Sequence, residues 1–241
     1  MKTLKLMFAA IRTIIFYLGY VIVTVFLSSV LILSFPFLSD TRRHSLSSLW
    51  CNSVLQWLKL CCGVNYKISG LENIPTTPCV IVANHQSSWE TVLFYSLVFP
   101  VSPILKKELL KIPFWGWAMG LFNPIAIDRS KPRQAGRSLL LQGSKRLSEG
   151  FSVILFPEGR RSPPGELGKF SRSAAKLAIE SESPILPIHH NAGNCWPPGS
   201  FIKHAGMITV TIGKPVPSLG RGDEEFTAEI RQWILDQSLK L

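Results

Sequence analysis

Between Arg12 and Asp40 this chain carries no charged residue. The stretch Thr13–Phe35, TIIFYLGYVIVTVFLSSVLILSF, holds only apolar, small or weakly polar side chains. As a helix it extends about 34 Å at ~1.5 Å per residue, enough to cross a bilayer core. A soluble fold must enclose such a helix on every side, whereas lipid accepts it as it stands. Lys2, Lys5 and Arg12 precede it, as in a secretory leader. The apolar part is too long for a signal peptide, and no small-residue cleavage site ends it. It therefore reads as an uncleaved membrane helix. Arg42 and Arg43 follow it, so basic residues flank both ends and leave both a spanning helix and one lying in a single leaflet open.

A second helical pattern covers Thr41–Cys62. Leu46, Leu49, Trp50, Ser53, Val54, Trp57, Leu58 and Cys61 recur at spacings of three and four, opposite Ser47, Ser48, Asn52, Gln56 and Lys59. Directly after a membrane segment, an amphipathic helix with two tryptophans on its apolar face predicts an interfacial position, although a core-packing helix has the same pattern. Gly63 ends it. Residues 1–62 thus read as anchoring helices and 63–241 as a catalytic domain. Net charge is +11 while 46% of residues are hydrophobic. Nucleic-acid binders are rarely so apolar; the pairing predicts an anionic membrane surface as partner and no nucleic acid.

From Val64 onward strand-like and helix-like stretches alternate. Strands are expected at Val64–Ile68, Cys79–Ala83, Val101–Leu105, Pro124–Ile127, Phe151–Phe156, Pro184–Ile188 and Met207–Ile212. Helices are expected at Ser88–Val98, Lys107–Met119, Pro132–Leu147, Ser171–Glu180 and Asp223–Leu239. This predicts an α/β layered domain, its sheet largely parallel or mixed and flanked by helices. The five cysteines form no C-x-x-C and are odd in number, which argues against a zinc site or a disulfide framework and fits a reducing compartment.

Within Cys79–Thr91, CVIVANHQSSWET, a β-branched run ends at Asn84-His85 and the serines open a helix. His85 thus sits where a strand gives way to a helix, a common place for chemistry in α/β folds. Glu90 follows five residues on. In one continuous helix the two side chains would diverge by roughly 140°. They meet only if His85 lies in the loop and Glu90 in the first helical turn. Ser87-x-x-Glu90 also reads as a capping box, which needs no chemistry at all.

Three further strands run into charge: Ile125–Ile127 into Asp128-Arg129, Val153–Phe156 into Pro157-Glu158-Gly159-Arg160-Arg161-Ser162, and Ile185–Ile188 into His189-His190-Asn191. If these strands are parallel, their ends open on the same side as His85. Arg129, Arg160 and Arg161 would converge there around Glu158, joined by Lys106 and Lys107, and suit an anionic ligand such as a phosphate. Exposed ion pairs that merely hold a loop are the alternative. No G-x-S-x-G elbow and no phosphate-binding glycine motif occurs. Adjacent histidines on a strand face opposite ways, so His189 and His190 cannot both join Asp128 and Glu158, and no metal site is expected.

The blocks NHQSSWE, IAIDR, FPEGRRS and ILPIHHNAG, in that order, resemble the four motifs of the lysophospholipid and glycerolipid acyltransferase family, most of all its bacterial 1-acyl-sn-glycerol-3-phosphate branch. The likeness runs from Gly63 to about Pro217. It implies transfer of a fatty acyl group to the free hydroxyl of lysophosphatidate, giving phosphatidate. The acyl-CoA or acyl-carrier-protein thioester is a co-substrate, and no cofactor is needed. It implies His85 as general base, oriented by Glu90, which stands where most members carry aspartate. It implies acceptor binding by Arg129, Glu158, Gly159 and Arg161, with Glu158 positioning Arg161, and Lys106 as a further candidate. Arg160 replaces the usual threonine, and Ser171-Arg172-Ser173-Ala174 the usual glycine-rich stretch. The expected place is a bacterial inner membrane, with the catalytic domain at the cytoplasmic face. PFWGWAMGL (Pro113–Leu121) reads either as lining the acyl path or as a plain packed helix. Acceptance of another lysolipid, or lipid binding without catalysis, remain the alternatives.

Overall fold

The computed structural model describes residues 2–128 and 130–240. Helix α1 (Lys2–Ser34) contains the uncharged stretch, and α2 (Asp40–Cys62) folds back along it. Gly63, at φ 70°, ends α2 in the left-handed conformation, its amide bonding to the Lys59 carbonyl. There follow β1 (Val64–Ser69), β2 (Val80–Ala83), α3 (Trp89–Leu97), β3 (Val101–Lys106), α4 (Trp115–Gly120) and β4 (Ile125–Ile127). The chain finishes with α5 (Pro132–Ser148), β5 (Ser152–Leu155), α6 (Ser173–Glu180), β6 (Ile185–His190), β7 (Gly206–Ile212) and α7 (Asp223–Ser238).

The strands make one mixed sheet in the order β1-β7-β6-β2-β5-β3-β4. β2 to β6 are mutually parallel; β7 runs antiparallel to β6, and β1 parallel to β7. The central strands are buried on both faces, which is why they read as unbroken apolar runs. The pleat divides them cleanly. Val80, Val82, Val153 and Leu155 face Leu139 of α5, Leu177 of α6 and Phe226 of α7. Ile81, Ala83 and Ile154 face the other way, into a core shared with Phe16 of α1, Leu58 of α2 and Phe94 of α3. Each fully buried aliphatic chain contributes roughly 1.5–3 kcal/mol. The arrangement is helix layer, sheet, helix layer.

Three local expectations change. The helix expected over Lys107–Met119 is broken into a 3-10 turn, Lys107–Lys111, and the short α4. Pro113 disfavours helix at Ile112, and Phe114 turns the chain at φ 61°. β6 runs on through His190 rather than stopping at Ile188. Trp50 and Trp57 of α2 face α1 rather than lipid. Trp50 Nε1–H donates to Thr24 Oγ1 at 3.0 Å, and Trp57 Nε1–H to the Phe16 carbonyl at 3.2 Å. Gly19 makes this approach possible, since a Cβ there would lie 2.1 Å from Trp57 Nε1. At the other end of the contact Arg12 Nε–H donates to the Cys61 carbonyl at 2.6 Å.

Among the described residues α1 is the one helix long and apolar enough to cross a membrane. Its outward face leaves Phe8, Ile11, Leu18, Ile22 and Phe26 about half or more exposed.

Candidate active site

β2 ends at Ala83, and the parallel strands around it finish at the same edge, so Asn84 and His85 emerge among the ends of β5 and β6. The two hydrogen bonds of the Asn84 side chain fix that exit. Its Nδ2–H donates to the His190 carbonyl at 2.9 Å, and its Oδ1 accepts the His190 amide at 3.0 Å. His190 answers with Nε2–H to the Asn84 carbonyl at 2.8 Å, while its Nδ1 accepts the Ala192 amide at 3.3 Å. Burial lowers the pKa of His190, in keeping with this neutral, single-tautomer arrangement.

His85 lies in the loop and Glu90 in the first turn of α3, the one geometry that lets them meet. Glu90 Oε1 accepts His85 Nδ1–H at 2.7 Å, and also the amides of Gln86 at 3.1 Å and Ser87 at 2.9 Å. Glu90 therefore does both things its spacing allowed: it folds back onto the helix start and holds the imidazole. Burial by itself would raise the Glu90 carboxyl. Hydrogen bonds from the His85 ring and the Ser87 amide outweigh burial and hold it below the ordinary carboxylate range. An ionised Glu90 fixes the His85 proton on Nδ1 and leaves Nε2 as a free base. The ring is clamped by stacking on Phe156, centroids 4.2 Å apart and planes 18° off parallel.

Glu158 has a different role from the one expected. It pairs with neither Arg160 nor Arg161 among the described residues. Its Oε1 accepts the His85 amide at 2.8 Å; its Oε2 accepts the Ser162 hydroxyl and, at 3.0 Å, the Gly168 amide. The Ser162 amide in turn donates to the His85 carbonyl at 2.8 Å. Glu158 thus locks the His85 backbone to the 158–168 loop and positions no guanidinium. Gly159, at φ 70°, turns the chain directly after it, with its amide on the Phe156 carbonyl at 3.1 Å.

A cavity of ≈ 880 Å³ opens at His85. Tyr20 and Thr24 of α1, Trp50, Tyr95 and Trp115 wall its apolar length. Lys106, Arg160 and Arg161 rim it, and the two arginines are exposed. Lys106 lies 3.7 Å from Glu108. Lys107 is drawn away to Asp128, at 2.5 Å. Arg129 lies outside the described residues. Arg161 also borders a recess of ≈ 350 Å³ with Ser88 and Ser200. Of the Pro113–Leu121 stretch, Pro113 and Trp115 line the large cavity, whereas Ala118 and Met119 pack inward. No cluster of three potential metal ligands occurs among the described residues.

Sequence reasoning missed Phe156, Asn84 and Ser162. All three sit inside the blocks NHQSSWE and FPEGRRS, and a polar Asn at a buried strand end is a usable signal.

The geometry has counterparts. A family model described as "Acyltransferase" matches residues 65–191. A Pseudomonas aeruginosa protein named 1-acyl-sn-glycerol-3-phosphate acyltransferase is 42% identical over 226 residues, 92% of this chain and 87% of its own. A Saccharomyces cerevisiae protein of the same name is 29% identical, over 81% of this chain and 67% of its own. The crystal structure of the 1-acyl-sn-glycerophosphate (LPA) acyltransferase PlsC from Thermotoga maritima superimposes with a TM-score of 0.85 at 24% identity, covering 100% of this chain and 97% of that one; it shares the fold.

Proposed function

The chain belongs to the acyltransferase family, and from that premise we propose that it acylates lysophosphatidate (1-acyl-sn-glycerol 3-phosphate) from an acyl thioester, giving phosphatidate. The observation that carries the reading is the His85–Glu90 pair, Nδ1 to Oε1 at 2.7 Å, at the wall of a cavity large and apolar enough for a fatty chain. The names of the relatives supply the acceptor.

In this mechanism His85 Nε2 takes the proton of the acceptor hydroxyl as its oxygen attacks the thioester carbonyl carbon. Glu90 steadies the imidazolium that forms, as the acid does in a Ser-His-Asp triad, with the substrate hydroxyl in place of the serine. The carbon–sulfur bond then breaks, and His85 returns the proton to the leaving thiolate. Arg161, with Arg129 from the second sequence block, binds the acceptor phosphate; Lys106 adds charge at the rim. No group on the enzyme is acylated. The setting is the cytoplasmic face of a bacterial inner membrane, where α1 meets lipid and five free cysteines stay reduced.

The test supplies lysophosphatidate and labelled acyl donor to the full chain in nanodiscs, beside lysolipids lacking a phosphate monoester. Phosphatidate from lysophosphatidate alone, lost in His85→Ala, is the expected result. Turnover only with other lysolipids would remove the phosphate role of Arg161; unchanged turnover in His85→Ala would remove the base.

A further inference from the structure

His85 borders a second cavity as well. It measures ≈ 350 Å³, at the lower end of the usual range for ligand sites, and lies on the α5–α6 side. His85, Phe156 and Ile104 line both cavities and form the partition between them. The small one continues past Gly159 to Ala135 and Gly136 of α5, to Ser171 before α6 and to Ser173 at its start. Those two serine hydroxyls bond to each other at 2.7 Å. Nothing in the mechanism above occupies this space.

The reaction needs a donor with two dissimilar halves joined at the reacting carbonyl. One half is a fatty chain, which the large apolar cavity suits. The other is a phosphopantetheine arm, slim and carrying amides that seek hydroxyls. Two cavities meeting at the base fit one such molecule lying across the partition.

The surface outside the small cavity is also distinctive. α5 reads PRQAGRSLLLQGSKRLS and contains no acidic residue. Arg133 and Arg137 are exposed and have no carboxylate partner among the described residues. Leu141 is 73% exposed and follows Arg137 by one turn, with Lys145, whose Nζ lies 3.8 Å from Glu149, a turn further. From Arg133 to Lys145 this row spans about 18 Å at ~1.5 Å per residue. A nucleotide carrier needs only a local phosphate site. A row of that length, basic at both ends with an apolar side chain between, complements a helix of an acidic protein.

Resting on the acyl-transfer reading, we propose that the small cavity admits the phosphopantetheine arm of an acyl-carrier protein, which docks its acidic helix on the outer face of α5.

Gly136 offers a test, because it lines the small cavity and a Cβ placed there meets nothing within 4 Å. Initial rates are measured for the full chain in nanodiscs with lysophosphatidate, using acyl-carrier-protein and acyl-CoA thioesters of one chain length. Gly136→Phe, with Gly136→Leu as the milder plug, raises KM for both donors about tenfold and leaves KM for lysophosphatidate within about twofold. Arg133→Glu with Arg137→Glu raises KM for the carrier-protein donor about tenfold, an effect that salt reproduces in the unmutated chain, and moves the acyl-CoA value less than about twofold. Unchanged donor KM values in both Gly136 variants overturn the channel. An equal rise with both donors in the charge reversal, or none, overturns the carrier-protein dock, as does an unmutated chain active with acyl-CoA alone. An unmutated chain inactive with both donors overturns the acyl-transfer reading itself.

Discussion

Replacing Glu90 with glutamine removes a charge while keeping a shape. Glutamine presents an oxygen where Glu90 Oε1 accepts His85 Nδ1–H and two amides, so the imidazole keeps its tautomer and direction. What disappears is the anion beside the imidazolium formed as the acceptor loses its proton. Unit charges ~4 Å apart at an effective dielectric of ~20 attract by about 4 kcal/mol. At about 1.4 kcal/mol per decade of rate, the upper bound on the loss is near a thousandfold. The amide dipole retains part of it, so kcat should fall about a hundred- to a thousandfold. KM for lysophosphatidate should hold, because Glu90 is fully buried and touches no substrate. Glu90→Asp keeps the charge one methylene short of its three donors and should lose only about tenfold. The assay is initial-rate phosphatidate formation in nanodiscs, with thermal unfolding of each variant alongside. A folded Glu90→Gln enzyme within about threefold of the unmutated kcat would refute the electrostatic argument and leave Glu90 as a helix cap.

Glu158→Gln should lower kcat about tenfold and speed amide exchange at Ser162 and Gly168, because it loosens the loop tied to the His85 amide; unchanged exchange there would separate Glu158 from that loop. His189 is 3% exposed, and burial lowers its pKa from 6.5 to about 4. As pH falls through that interval the unfolded chain takes up a proton that the folded one refuses, so stability drops, by about 2 kcal/mol at pH 5. His189→Leu should flatten that slope in denaturant titrations at pH 7 and 5 and leave a later fall below the ordinary carboxylate range, where Glu90 gains its proton; parallel curves for the two proteins would contradict this. Gly19→Val should drive α1 from Trp57 and cost over about 2 kcal/mol, visible as a changed tryptophan emission and new proteolytic cuts in α1; an emission spectrum and cleavage pattern like the parent's would refute the contact.

Legibility in the sequence followed the range of the interaction. The β2 and β5 runs, the loop position of His85 and the reach of Glu90 are local, within five residues, and could be read directly. The apolar spacing over Lys107–Met119 suits one helix, but Pro113 breaks it and leaves only the short helix before β4. Glu158 is expected beside Arg161, three residues on in the chain. Its actual partners include the amide of Gly168, ten residues on, and no periodicity announces a backbone donor. Trp50 and Trp57 show a third limit. An amphipathic pattern says that a face is covered, not whether lipid or protein covers it.

The helix that leaves Phe8, Ile11, Leu18, Ile22 and Phe26 exposed on its outer face also supplies Tyr20, Val21, Thr24 and Val25 to the wall beside His85. One rigid element therefore has two masters. A bilayer that shifts its depth or tilt shifts the wall with it, and by linkage any occupant of the cavity biases how the helix sits.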